Sequence, residues 1–147
     1  MGIIVMAVLI LALDQVTKLW VQNSMVPQES IPLLPGIFHL TYVQNTGAAF
    51  GIMKGKTLFF VIITAVVVGF VLYIIPQITK GQLQLRLAMG LLLGGAVGNL
   101  IDRVRFGYVI DFFDFRIWPV FNIADSAVVV GVALLFWFIL FKQLEGL

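Results

Sequence analysis

Four long apolar runs dominate the pattern of hydrophobic and polar positions along the chain. They cover residues 2–21, 58–75, 85–101 and 123–141. A bilayer core about 30 Å thick is crossed by roughly 20 mostly apolar residues in helical form, and each run approaches that length. Pro76 follows the second run and Lys142 the fourth, as is typical of helix ends near a membrane surface. The pattern therefore predicts four transmembrane helices.

The first run has to be distinguished from a cleavable secretory signal. It lacks a basic leading segment and a small-x-small cleavage motif, and it continues through Asp14, Thr17 and Lys18. We expect a retained helix here.

Two long polar connections separate the predicted helices. Residues 22–57 contain the run FHLTYV at 38–43, in which β-branched and aromatic residues alternate with others, followed by Asn-Thr-Gly. This pattern predicts a strand and a turn, in a small sheet lying on the membrane. The second connection, residues 102–122, is predicted as a loop that carries acidic and basic residues. Four crossings place both connections on the same side of the membrane, whichever way the chain is oriented.

Composition supports a membrane protein and removes several classes of function. The chain of 147 residues is 61% hydrophobic and 11% charged, with a mean hydropathy of +1.10. It has no cysteine and a single histidine, His39, which excludes disulfides, cysteine nucleophiles and metal sites built from thiolates or several imidazoles. Nine basic residues spread along the chain, with a net charge of +2, do not support nucleic-acid binding. Anionic lipid headgroups are the expected partners of these charges.

Ionisable residues near the apolar runs are candidates for function, because each costs on the order of 2.5–3.5 kcal/mol to insert into a bilayer. Asp14 has a partner four residues on, Lys18, and this spacing and order favour an ion pair on one helix face. Asp102 is followed by Arg103 and Arg105, which favours an interfacial ion pair or a capping role for it.

Small residues form a stripe along the third run. Gly90, Gly94 and Gly98 recur every fourth residue, which predicts that another helix approaches closely on that face. The same groove is also wide enough in principle to admit a peptide, so packing and binding are both open.

Asp125 opens the fourth run and has two interpretations. Asn122 is a suitable helix N-cap, and it would place Asp125 in the first turn, where the helix dipole favours an acid. Alternatively, Asp125 shares a site with Asp111 or Asp114 from the preceding connection. Two carboxyl groups in one site cannot both ionise cheaply, so one keeps its proton while the other stays charged and can activate water.

Two function classes other than an enzyme are consistent with some of these features. A small proton-coupled transporter would use Asp14, Asp111 and Asp125 as a relay, although the opposite side of the membrane is nearly bare of polar groups. A non-enzymatic assembly partner would dock through the glycine stripe, but it leaves the clustered carboxylates unexplained.

The chain resembles the lipoprotein signal peptidases, the type II signal peptidases of bacteria, over essentially its whole length. The matching motifs are DQVTK at 14–18, NTGAAF at 45–50, GGAVGNLIDR at 94–103, VIDFF at 109–113 and FNIADS at 121–126. The resemblance implies an intramembrane aspartyl protease that removes the signal peptide from a prolipoprotein carrying diacylglycerol on its lipobox cysteine, cutting on the amino side of that cysteine. It implies no metal and no organic cofactor.

The resemblance also assigns roles to individual residues. It implies that Asp111, on a returning loop, and Asp125, on the fourth helix, form the catalytic dyad. Residues implied in substrate binding are Asn45, Asn99, Arg103 and Asn122. Motif residues with a more structural part are Asp14, Lys18, Gly47 and Asp102.

The resemblance finally implies a location and an assembly state. It implies one peptidase domain over residues 1–147, acting as a monomer in the bacterial cytoplasmic (inner) membrane, with prolipoproteins and membrane lipid as its partners. A β-cradle within about residues 30–52 and the active site would lie on the extracytoplasmic side, with both termini in the cytoplasm. The positive-inside rule favours the reverse orientation. The basic residues that would lie outside are Lys54, Lys56, Arg103, Arg105 and Arg116, against Lys80, Arg86 and Lys142 inside.

Overall fold

The computed structural model describes residues 2–47, 54–78 and 82–144, with the side chains of 142–144 left out. In chain order its main elements are α1 (Gly2–Ser24), β1 (Ser30–Leu34), β2 (Phe38–Asn45), α2 (Thr57–Ile74), α3 (Leu83–Phe106), β3 (Val109–Asp114) and α4 (Ile123–Leu144). All four helices are long and apolar enough to cross a membrane. The predicted fold class, four transmembrane helices with a small sheet, is therefore confirmed. Residues 48–52 of the predicted cradle lie outside the described residues.

The helices differ in how much of their apolar surface the protein itself covers. Half of the apolar window of α3 is buried, against 6% of that of α2. The other three helices pack around α3, which is therefore the centre of the bundle. Outward-facing side chains such as Val66 and Phe70 of α2 are exposed, which suits a surface in contact with lipid rather than water.

The end of α3 differs from the predicted end of the third run. The apolar run stops near residue 101, but the helix continues to Phe106 and ends at Gly107, whose φ of 80° closes it with a hydrogen bond from its N–H to the Arg103 carbonyl oxygen. Asp102 and Arg103 therefore lie on the last turns of a helix, and the prediction that they belong to the second connection was wrong. The helix extends because these polar side chains find partners inside the protein.

The predicted glycine stripe is a packing surface. A Cβ atom at Gly90 would lie 2.7 Å from the Met6 side chain, and one at Gly94 would lie 2.6 Å from the Ala7 carbonyl oxygen, so both face α1. Gly95, one residue on, instead contacts α4 at Ala124. Because a methyl group does not fit at these positions, the glycines allow α1 and α4 to approach the α3 backbone on two sides.

A three-stranded antiparallel sheet lies at one end of the bundle, in the order β1-β2-β3. The first two strands come from the first connection, where a small sheet and one strand, that at 38–43, were predicted. The third strand, β3, comes from VIDFFD in the second connection, which was predicted as a loop. In the register of β2 and β3, Val43 pairs with Asp111 and Asn45 with Val109. Asp111 is therefore held on a strand, and Asn45 is its diagonal neighbour on the same face.

The chain after β3 folds back on the strand before it enters α4. The N–H of Phe121 donates to the Phe113 carbonyl oxygen, and the Phe121 carbonyl oxygen accepts from Phe112 and Phe113. Under the sheet, Val21 of α1 and Met25, just after the helix, form an apolar cluster with Tyr42, Ile110 and Phe112. The start of α4 is therefore fixed next to the strand that carries Asp111.

We expect Gly94→Ala to lower the free energy of unfolding by about 1–3 kcal/mol, because the added methyl group overpacks the α1–α3 contact. Thermal unfolding in detergent checks this. Gly69→Ala is the matched control, because a Cβ there meets nothing within 4 Å and alanine is the better helix former. Equal destabilisation by both substitutions would contradict the packing role of the glycine stripe.

Candidate active site

A buried lysine lies at the polar end of the bundle. Lys18 is 1% exposed, and its Nζ lies 2.8 Å from Asp14 Oδ2, 2.9 Å from Asp102 Oδ2 and 3.0 Å from Asn99 Oδ1. An ammonium group has three N–H donors, and three acceptors surround this one. The predicted ion pair between Asp14 and Lys18 is present. Asp102 bonds this lysine rather than Arg103 or Arg105, so the predicted partners of Asp102 were wrong.

The same carboxylates extend the network to the next two elements. Asp14 Oδ1 accepts from the backbone N–H of Ala124 at 2.9 Å, and Asp102 Oδ2 accepts from that of Ile110 at 3.1 Å. Gln15 joins Asp14 and Asp102 through its amide group, at 3.2 and 3.1 Å. The network therefore fixes α1, α3, β3 and the start of α4 to one another.

Sequence reasoning assigned no role to Gln15, although it stands next to Asp14 in the DQVTK motif. The sequence did contain a signal for Gln15, since it is a neutral amide next to a carboxylate on an apolar helix. A buried amide needs hydrogen-bond partners.

Asp111 lies on β3 and is 2% exposed. Its Oδ1 accepts from Asn122 Nδ2 at 2.7 Å and its Oδ2 accepts from Asn45 Nδ2 at 2.9 Å. Asn45 is itself fixed, because the backbone N–H of Gly47 donates to its Oδ1 at 2.9 Å. The carboxyl group of Asp111 is thus held on both oxygens by amide side chains.

Asp125 lies in the first turn of α4. Its Oδ1 accepts from Asn99 Nδ2 at 2.7 Å. Its Oδ2 accepts from the backbone N–H of Asn122 at 3.3 Å, while Asn122 Oδ1 accepts from the backbone N–H of Asp125 at 2.8 Å. This reciprocal pair is a capping box. The N-cap interpretation of Asn122 is confirmed, and it does not compete with a shared carboxylate site, since both occur at once.

Asn122 connects the two aspartates. Its Nδ2 donates to Asp111 Oδ1, and it also lies 3.1 Å from Asn99 Oδ1. Asn99 in turn donates to Asp125, so two buried amides bridge the two carboxyl groups. The structure therefore brings together the residues that the resemblance implied in catalysis and binding: Asn45, Asn99, Asp111, Asn122 and Asp125.

Both carboxyl groups line a cavity of about 440 Å³ between α2, α3 and α4. Among the described residues that line it, Asp111 and Asp125 are the acids and Arg103 is the base. Its apolar wall runs along the three helices and includes Ile63, Val67, Leu92, Ala96, Val128 and Val129. The polar groups therefore lie at one end of a groove that is otherwise suited to hydrocarbon.

Arg103 lies at the edge of this cavity. Its guanidinium carbon is 5.2 Å from the centre of the Phe60 ring of α2, within the range of a cation–π contact. Arg103 is only partly buried, so its charge faces the cavity and is available to an anionic or carbonyl group.

The environment of Asp111 changes its acidity. Burial, and next the negative charge of Asp125, raise the pKa of Asp111 to about 8, against the opposing effect of the bonds from Asn45 and Asn122. A carboxyl group with such a pKa keeps its proton at neutral pH and can donate it.

Asp114, the other sequence candidate for a second carboxylate, lies at the far end of β3. Its Oδ2 accepts from Thr41 Oγ1 at 2.7 Å and from Arg116 Nη1 at 2.9 Å. Partial burial acts to raise the pKa of Asp114, but the bonds from Thr41 and Arg116 outweigh burial and hold the pKa below its ordinary value. Asp114 does not line the cavity, so Asp111 is the neighbour of Asp125.

Metal ligands are scarce in the described part of the chain. Residues 2–47, 54–78 and 82–144 contain no group of three or more His, Cys, Asp or Glu side chains that could hold a metal ion. What the described groups can do is hold and move a proton between two carboxyl groups beside an apolar groove.

Comparison with known proteins gives the family. A family model described as "Signal peptidase (SPase) II" matches residues 6–141. The lipoprotein signal peptidase of Halothermothrix orenii is 53% identical over 97% of this chain and 97% of its own length. That of Moorella thermoacetica is 50% identical over 93% of this chain and 91% of its own length.

Solved structures give the same result for the fold. A bacterial membrane enzyme determined by the in meso method at 2.3 Å resolution superimposes with a TM-score of 0.89 at 38% identity, covering 95% of this chain and 88% of that one. With a family model that spans most of the sequence and relatives at half identity along nearly all of it, the chain belongs to the signal peptidase II family.

Proposed function

We propose that the protein is an intramembrane aspartyl endopeptidase that removes signal peptides from lipoprotein precursors. Membership of the signal peptidase II family supports peptidase activity on prolipoproteins. The observation that carries the aspartyl mechanism is the pair of carboxyl groups, Asp111 and Asp125, bridged by amides at the polar end of an apolar cavity.

The pair catalyses hydrolysis by sharing one proton. The ionised carboxylate takes a proton from water as the water attacks the scissile carbonyl carbon, and the protonated carboxyl group donates to the carbonyl oxygen. Asn99, Asn122 and Asn45 hold the two carboxyl groups in place. The guanidinium of Arg103 binds the substrate backbone or the headgroup region beside them.

The cavity supports a lipid-modified substrate. Its apolar wall is continuous with the lipid-facing helices, so acyl chains and an apolar signal helix can enter from the bilayer without crossing water. A diacylglyceryl group on the lipobox cysteine would lie against this wall. The peptide bond on the amino side of that cysteine would then lie between Asp111 and Asp125. No cofactor takes part in this proposal.

A proton-coupled transporter is the less favoured alternative. A relay needs ionisable groups along a path to both faces, whereas Asp14, Lys18, Asp102, Asp111 and Asp125 gather at the sheet end of the bundle. Family membership also supports the peptidase.

The proposed location is the bacterial cytoplasmic membrane, with the sheet and the cavity on the extracytoplasmic side and the termini inside. A prolipoprotein whose modified cysteine lies near the membrane surface on that side would meet the polar end of the cavity. The excess of basic residues on this side is partly accounted for by Arg116, paired with Asp114, and by Arg103, beside the two carboxyl groups.

We expect Asp111→Asn and Asp125→Asn each to lower cleavage of a diacylglyceryl-modified prolipoprotein by at least about a thousandfold, because the remaining carboxyl group cannot act as acid and base together. A gel-shift assay with purified enzyme measures this, with unlipidated precursor as the negative substrate.

Asp114→Asn is the matched control for these variants. It removes a carboxylate from the same strand but outside the cavity, and we expect its activity to stay within about threefold of that of the unaltered enzyme. Near-normal activity in either Asp111→Asn or Asp125→Asn would end the aspartyl assignment.

The pH dependence of kcat/KM should be bell-shaped. A dyad with one proton is active, and because the pKa of Asp111 is raised to about 8, the shared proton is lost above that pH and activity falls about tenfold per unit. On the acid side activity falls when the second carboxyl group gains a proton. A profile that stays level through pH 9 would argue against a shared proton.

Orientation is testable because the chain has no cysteine of its own. A membrane-impermeant maleimide added to intact cells should label Leu33→Cys, on β1, and should reach Gln77→Cys, after α2, only when the membrane is opened. The opposite pattern would reverse the proposed orientation.

A further inference from the structure

One of the three bonds of the Lys18 ammonium group leads toward the proposed active site. Lys18 is enclosed by α1 and α3, and two of its N–H donors go to the carboxylates of Asp14 and Asp102. The third goes to a neutral group, Asn99 Oδ1, at 3.0 Å. A buried cation needs hydrogen-bond acceptors for all of its donors. Burial does not require, however, that one of these acceptors also bond a residue of the active site.

The third bond connects Lys18 to Asp125. Asn99 accepts from the ammonium group at Oδ1 and donates to Asp125 Oδ1 through Nδ2 at 2.7 Å. A cation that donates to an amide oxygen polarises the amide and makes its N–H a stronger donor. A strong donor to a carboxylate favours the ionised form of that carboxylate.

Asp111 receives no such bond. Its donors are Asn45 and Asn122, whose own amide oxygens accept from the backbone N–H groups of Gly47 and Asp125. Neither amide is polarised by a cation through its oxygen. Asp111 is also more deeply enclosed than Asp125, which disfavours a charge on it.

Among the described residues, none of the other charged groups around the pair is joined to either carboxyl group by a hydrogen-bonded amide, as Lys18 is joined to Asp125. From α1 these are Asp14 and Lys18, and from α3 they are Asp102 and Arg103. The side chains of α2 that line the cavity, Ile63, Thr64 and Val67, carry no charge. The positive charges of Arg103 and Lys18 attract both carboxyl groups, but only Asp125 accepts a hydrogen bond from the amide that Lys18 polarises.

We propose that Lys18 is a positioning residue that, through Asn99, keeps the negative charge of the dyad on Asp125 and its proton on Asp111. This rests on the proposed function, and it assigns the two roles within it. Asp125 takes a proton from the attacking water while the oxygen of that water bonds to the carbonyl carbon, and Asp111 gives its proton to the carbonyl oxygen. When the carbon–nitrogen bond breaks, the proton on Asp125 passes to the leaving amine and a hydroxyl proton of the intermediate returns to Asp111.

The test compares two variants that differ at position 18. The double variant Asp14→Asn, Asp102→Asn keeps Lys18 without its carboxylate partners, and the triple variant adds Lys18→Gln, so that no unpaired carboxylate is left in the network. We expect the acid limb of the kcat/KM profile to lie about one pH unit higher in the triple variant, because Asp125 loses the polarised donor. A Lys18 that only stabilises the fold would change the thermal midpoint and leave this limb in place, and that result would overturn the proposal.

A second measurement does not depend on the folding of these variants. Carbon-13 NMR of the aspartate side chains in the unaltered enzyme reports the protonation of each one, with signals assigned by their loss in Asp111→Asn and Asp125→Asn. Near neutral pH, Asp111 should give the protonated signal and Asp125 the ionised one. The reverse assignment would overturn the proposal.

The two proposals fail in different ways. If Asp111→Asn or Asp125→Asn remains active, the aspartyl peptidase itself is wrong. If both are inactive but the double and triple variants share one acid limb, the dyad stands and only the role of Lys18 is lost.

Discussion

The enclosed ammonium group of Lys18 is the constraint on which the rest of the structure depends. An unpaired charge at this depth costs several kcal/mol, so its three acceptors have to be brought within hydrogen-bond distance. Two of them come from α3, more than eighty positions along the chain. The glycines of α3 make this possible, since a Cβ at Gly98 would lie 2.5 Å from Asp14 Oδ2 and would push α1 away. The close packing of α1 on α3 and the neutralisation of the Lys18 charge therefore depend on each other.

The geometry of the dyad follows from the same network. Asp102 fixes the N–H of Ile110, the residue before Asp111, and Asp14 fixes the N–H of Ala124, the residue before Asp125. Each carboxyl group is thus one residue away from a backbone atom that the Lys18 cluster holds. Hydrogen bonds that the substrate does not contact therefore place the two carboxyl groups precisely next to the apolar groove.

Features that depend on neighbours in sequence could be predicted from the chain. The apolar runs, the i,i+4 pair of Asp14 and Lys18, and the cap at Asn122 all need only local geometry. The strand character of VIDFFD could not be read in this way, because it depends on pairing with β2 far away in sequence. The same holds for Gln15 and for Asp102, because the basic neighbours of Asp102 in sequence, Arg103 and Arg105, contact aromatic rings while Asp102 pairs with Lys18. The pairing of Asp111 with Asp125 came from the resemblance, since the residues alone left Asp114 equally open.

The bond between Asp14 and the backbone of Ala124 joins groups that are 110 positions apart. A ribosome makes α1 first and α4 last, and helices enter the bilayer in that order. During this interval Asp14 and Lys18 have each other as ionic partners within their own helix, and this pairing lowers the cost of inserting α1. The assembled cluster, and with it the arrangement of Asp111 and Asp125 that we propose to be catalytic, forms only when the final helix arrives, so a partly synthesised chain in the membrane does not have a complete site.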